Sequence, residues 1–198
     1  MDVAAMRSRF PALDKGQIFL DNAGGTQALQ TVLDSVGQYL YSANVQPGAS
    51  CPTSQASLES IRNGHLAAAK FMNADPSEIV FGASATQLAW NLRLALADHF
   101  SQGDEIVLTK INHESHTSPW LQLAKDRGLT VRWYEPRDKK NPVIEADLLK
   151  TYLNSRTRLV VCVHVSNILG TINDVQAVAT EVHGRNPYHI WWHPSQSV

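Results

Sequence analysis

Little is present in excess in this chain of 198 residues. Lys and Arg number 17 against 18 Asp and Glu, a formal charge of -1, so no basic surplus is available to neutralise a nucleic-acid backbone or an anionic membrane. That argues against both kinds of partner. No apolar run reaches the roughly 18 residues that a membrane span needs, and residues 1–10 lack the apolar core of a secretion signal. The chain therefore reads as soluble, intracellular and expected in the cytoplasm. Two cysteines make no disulfide framework. Cys162 sits within the apolar run 159–163 as a small buried hydrophobe, whereas Cys51 lies in a Ser-Cys-Pro loop. Internal repeats, low-complexity segments and linkers are absent. At this length about 70% of the unfolded surface can be buried, enough for one sizeable core.

What is present is organised around residues 78–87. An apolar run, Ile79-Val80-Phe81, enters a turn of Gly82, Ala83 and Ser84, after which Leu88, Leu92, Leu96 and Phe100 recur once per helical turn. This is a strand, a tight loop and a helix. The first N–H groups of such a helix lack intrahelical partners and face the positive end of the dipole, so they can cradle a phosphate together with the Ser84 and Thr86 hydroxyls. The plainer reading, a small-residue turn with an ordinary serine cap, fits the same residues.

Before this stretch, two helical patterns, one carrying Leu29, Val32, Leu33, Val36 and Leu40 and the next running from Leu58 to about Asn73, make an N-terminal helical arm over 1–75. After it the pattern alternates. Strands are expected at 79–81, 105–109, 129–134 and 158–165, and helices at 88–100, 120–127, 145–152 and 174–183. Near-continuous apolar strands separated by helices predict an α/β fold of three layers, αβα, with a mainly parallel sheet covered on both faces. Ligands of such sheets collect at the carboxyl ends of the strands. Three polar clusters fall there: Ser84 to Thr86, Asn112 to His116, and Ser166 to Thr171. A zincin-type metal site is not supported, because Thr117 stands where a second histidine is required. A dinucleotide-binding turn is equally weak, since Gly82 has no Gly-x-Gly partner.

These segments together resemble the N-terminal part of the class V aminotransferase and cysteine desulfurase family of pyridoxal-phosphate enzymes. The resemblance runs from about Arg9 to Gly184. Phe19-Leu20-Asp21-Asn22-Ala23-Gly24-Gly25-Thr26 is similar to the family's first substrate-side segment, and 81–87 to its phosphate-binding turn. It implies that Ala85 and Thr86 hold the phosphate, that His113 stacks on the pyridine ring, and that Asn167 bonds the ring hydroxyl. It further implies the large domain of the fold type I transferases, a small amino-acid substrate and a homodimer. The cofactor is an electron sink, so a protein must anchor its phosphate, cover a ring face and hold its substituents in register; those residue types suit the task.

Departures accompany the match. Ala85 lacks the hydroxyl usual there, and Gln87 stands where a glutamate is common. The family's Val-Asp-Gly strand end, whose aspartate keeps the pyridine nitrogen protonated, has no counterpart in 188–198. Its cofactor-bound lysine is also missing, and Lys110, the lysine closest to the rim, reads as a surface residue. The chain therefore divides into the arm, a partial cofactor-binding domain over 76–187 and a divergent tail over 188–198. It reads as a C-terminally truncated or frame-shifted form, incomplete as a catalyst, with residues 79–81 left as an unpaired apolar edge. The competing reading is a non-catalytic remnant or paralogue that binds a phosphorylated ligand or a partner subunit.

Overall fold

The computed structural model describes residues 2–184 and, as backbone, 189–194. Two compact units divide at Phe81/Gly82. The first holds α1 (Val3–Arg7), a 3-10 turn at Pro11–Lys15, α2 (Gln30–Ser42), α3 (Pro52–Met72) and a second 3-10 turn at Pro76–Glu78. Pro52 opens α3, where its missing N–H costs nothing, and Asn73 closes it in the left-handed region at φ 52°. Tyr39 of α2 reaches the buried Ser57 of α3 at 2.9 Å, and Ser57 in turn donates to the Val45 carbonyl at 3.2 Å. The apolar stripe of α2, Val32, Leu33, Val36 and Leu40, remains about half exposed.

The expected strand at 79–81 does not form. Ile79 is buried and caps the preceding 3-10 turn, while Val80 and Phe81 are 72% and 60% exposed. An apolar β-branched run becomes a strand only where a neighbour supplies a ladder, and among the described residues nothing pairs with this one. The exposed apolar edge expected here is therefore present, but outside any sheet.

The second unit runs α4 (Ala85–Leu96), β1 (Glu105–Thr109), α5 (Ser118–Arg127), β2 (Thr130–Tyr134), α6 (Ala146–Leu149, extended by a 3-10 turn at Lys150–Tyr152), β3 (Thr157–Val165), α7 (Val175–His183) and β4 (His189–Pro194). The sheet order is β2-β1-β3-β4 and every pairing is parallel. Every residue of β1 is buried, in keeping with its apolar centre, Ile106-Val107-Leu108. The pleat then sorts side chains to two faces. Val107, Val160 and Cys162 meet Leu149, Val178 and Val182 of α6 and α7, whereas Ile106, Leu108, Leu159 and Val161 meet Trp120 and Leu123 of α5 with Leu92 and Leu96 of α4. Helices on both faces of a parallel sheet make the three-layer αβα arrangement. Residues 189–194, expected as part of a divergent tail, run beside β3 as its outer neighbour.

At the amino end of the sheet the buried Glu105 carboxylate is met by Arg156 at 2.7 Å, by Asn154 Nδ2 at 2.7 Å and more loosely by Arg132 at 3.5 Å. A charge taken out of water needs such company. Ion pairs Arg93–Asp126 and Arg127–Asp98 tie α4 and its 3-10 extension to α5. No helix among the described residues is long and apolar enough to cross a membrane.

Beyond β3 the buried Asn173 donates from Nδ2 to the Val163 carbonyl at 2.8 Å and accepts from the Ile144 amide at 2.7 Å. Asn173→Ala strands both groups, and urea denaturation should show a loss of about 3 kcal/mol. Burial pushes the Cys162 thiol up to about 12, whereas Cys51 is exposed. Since the thiolate is the nucleophile, iodoacetamide at neutral pH should label Cys51 in the folded chain and reach Cys162 only after unfolding.

Candidate functional site

Ser84 accepts the Gln87 amide at 3.1 Å and so caps α4, while Gln87 Oε1 accepts the Ala83 amide at 3.0 Å. The first satisfies an orphan donor of the helix itself, and the second ties down the residue before the cap. The amides of Ala85 and Thr86 are left without partners among the described residues, both at exposed positions on the first turn of a 12-residue helix. Two adjacent free donors at the positive end of a helix dipole are arranged as an anion would need them. The donors are backbone, so the missing hydroxyl at Ala85 leaves them intact.

His113 begins the 3-10 turn Glu114–His116, and its Nδ1 accepts from the Ser115 amide at 3.2 Å and lies 2.7 Å from the Ser115 hydroxyl. Accepting an N–H leaves the ring proton on Nε2 and fixes the ring plane. The imidazole is exposed, so a flat face is free to stack on an aromatic ligand. The ring of the buried His116 lies 6.2 Å away, tilted by 57°. Helix α4 packs against this same turn and against α5, which brings the anion seat's helix to the His113 segment.

Asn167 lies in the turn after β3, half-buried. Ser166 organises that turn: its amide donates to Thr171 O at 2.9 Å, its carbonyl accepts from Gly170 N at 2.9 Å, and its hydroxyl accepts from Leu169 N at 3.2 Å. Gly170, at φ 69°, takes the left-handed step that closes it. Because β1 and β3 are adjacent and parallel, the His113 and Asn167 segments leave the sheet from the same end. Lys110 does not join them; it is exposed and ion-paired to Glu135 at 2.6 Å, holding that carboxyl below its usual range.

The supports of these segments differ in how far the sequence reveals them. The Gln87 cap was legible, since Ser84 and Gln87 have capping-box spacing. Asn112, Ser115 and Asn173 carry no comparable local signal, because their partners are set by tertiary contacts or by a side-chain rotamer.

The residues present fit a phosphorylated, flat, hydroxylated ring: an anion seat, a free imidazole face and an amide side chain. The aminotransferase class-V family profile matches residues 18–191. An aminotransferase-like protein, FGM3, of Gibberella zeae is 48% identical over 182 residues, covering 90% of this chain and 45% of that protein. The apo structure of a cysteine desulfurase from Thermococcus onnurineus NA1 superposes with a TM-score of 0.89 at 23% identity, over 96% of this chain and 46% of the other. The structure of a C-DES mutant with glycine covalently linked to its PLP cofactor superposes with a TM-score of 0.81 at 22% identity, over 96% and 50%. At those identities the two structures establish the shared fold. The chain spans about half the length, or less, of the curated relatives it matches.

Ser84→Ala removes the cap acceptor of α4. A loss of about 1 kcal/mol in stability is expected, with faster hydrogen exchange at the Gln87 amide than in the unaltered chain.

Proposed function

From the chain's membership of the aminotransferase class-V family, we propose that it supplies the phosphate-, ring- and hydroxyl-binding side of a pyridoxal-phosphate site acting on a small amino acid. The observation that carries this is the pair of free amides at Ala85 and Thr86, on a helix packed against the turn that pins His113. When bound, pyridoxal phosphate supplies the electron sink for a bond broken at an amino acid's α-carbon. The chain's own residues bind and orient. Ala85 and Thr86 donate two N–H bonds to the phosphate, His113 covers one ring face, and Asn167 donates to the ring oxygen and fixes the ring's rotation. The desulfurase or transaminase outcome belongs to the whole family architecture, of which these residues form one wall. Pairing with a second copy and a cytoplasmic location are part of the same reading, and light scattering on the purified chain measures the former.

The test uses pyridoxamine 5'-phosphate, which binds without a covalent bond, titrated calorimetrically into the full chain. Ala85→Pro is the informative variant. Proline is tolerated at the first helical position, and Ser84 is already extended at φ -163° and ψ 159°, so α4 persists while one phosphate donor disappears. A hydrogen bond to a charged group contributes about 1.5 kcal/mol or more, so affinity should fall at least about tenfold. His113→Ala and Asn167→Ala should weaken pyridoxamine phosphate but leave inorganic phosphate unchanged. Equal affinity in all four proteins would overturn the assignment.

A further inference from the structure

β1 has five residues and β3 nine, and the two are in register up to Leu108 and Val161. There the ladder stops, so the edge of β3 that faces β1 continues without a strand beside it. Asn112 takes over there. Its Nδ2 donates to the Val161 carbonyl at 3.0 Å, and its Oδ1 accepts from the buried Thr109 hydroxyl at 2.6 Å. The side-chain amide thus acts as an added rung between the two strands, one residue before His113. No other side chain of this size offers a donor and an acceptor together in this plane.

We propose that Asn112 is a positioning residue for His113: it locks the start of the His113 turn to β3, the strand that leads into the Asn167 turn, and so sets the spacing between the two ring-binding side chains. This rests on the cofactor-site reading above. The reasoning is geometric. The amide of Asn112 also donates to the Thr109 carbonyl at 3.2 Å, closing a tight turn. The backbone reaching His113 therefore has its position fixed by bonds to both strands, while the Ser115 contacts fix only the ring's rotation. Asn112 touches no ligand in this scheme, and its effect passes through His113.

The experiment is a double-mutant cycle on the full chain with two probes, pyridoxamine 5'-phosphate and inorganic phosphate. A stacked ring contributes enough that His113→Ala should weaken pyridoxamine phosphate roughly fivefold. Asn112→Ala should approach the same loss, and the double variant should be no worse than His113→Ala alone, because coupled positions are not additive. Asn112→Asp keeps the acceptor for Thr109 but sets a carboxylate against the Val161 carbonyl, so it should behave like the alanine variant; Thr109→Val, which keeps the Val161 bond, should lose less. Inorganic phosphate, seated on α4, should bind all of these alike. A merely structural role would instead weaken both probes together. Independent losses that multiply in the double variant, a parallel loss of inorganic phosphate, or no effect of Asn112→Ala would each overturn the proposal. Should the unaltered chain bind no pyridoxamine phosphate, the cofactor reading fails. The positioning role is then read separately from amide hydrogen exchange over 113–117, which must quicken in Asn112→Ala for the role to stand and overturns it if the rates are unchanged.

Discussion

The arrangement depends on an inequality of strand length. Three parallel pairings build the sheet, but the ladder between β1 and β3 ends at Leu108 and Val161, four residues before β3 does, and a strand edge that outruns its neighbour has backbone groups to satisfy. Burial makes those groups expensive to leave alone. Two asparagine side chains meet the need, Asn112 at the Val161 carbonyl and Asn173 at the Val163 carbonyl. Each sits at the foot of a turn, the first before His113 and the second just after the loop that carries Asn167. Satisfying the end of β3 and placing the candidate site are thus one structural act.

The anion seat follows from a different shortage. A helix entrance has more donors than acceptors, and α4 resolves it with the side chains of Ser84 and Gln87. Among the amides those two leave over are the adjacent ones of Ala85 and Thr86. Backbone donors cannot rotate away and lose little entropy on binding, so a seat made of them is preorganised. A side-chain hydroxyl would add a contact but would first have to be ordered. The alanine at position 85 therefore shifts the seat toward rigidity and leaves its electrostatic character to the helix.

Much of this was legible in the sequence, for reasons that differ from element to element. The centres of Glu105–Thr109 and Thr157–Val165, 106–108 and 159–163, are buried on both faces, so their apolar runs announce parallel strands directly. Helices α5 and α7 carry their own punctuation, Pro119 and Gly128 for one, Asp174 and Gly184 for the other. Residues 79–81 share the composition of a strand and are not one, because composition reports what a segment can do and pairing reports what its neighbours allow. The bonds of Asn112 and Asn173 were invisible for a related reason. Asn112 reaches across 49 positions to Val161, and no local pattern encodes a side chain replacing a ladder rung.

Fold and chemistry are separable here. The solved structures share the architecture at identities of 22–23%, a range in which a parallel sheet with two helical layers is preserved by hydrophobic pattern alone. Shared architecture carries no chemistry by itself. Function is argued from the site, and the site's parts have independent physical origins: a helix dipole with two free amides, an imidazole held by its own turn, and an amide side chain on a glycine-closed loop. A sheet of this kind needs none of the three for stability. Two of them, the imidazole and the amide side chain, follow adjacent parallel strands at one end of the sheet, and α4 packs against the imidazole's turn.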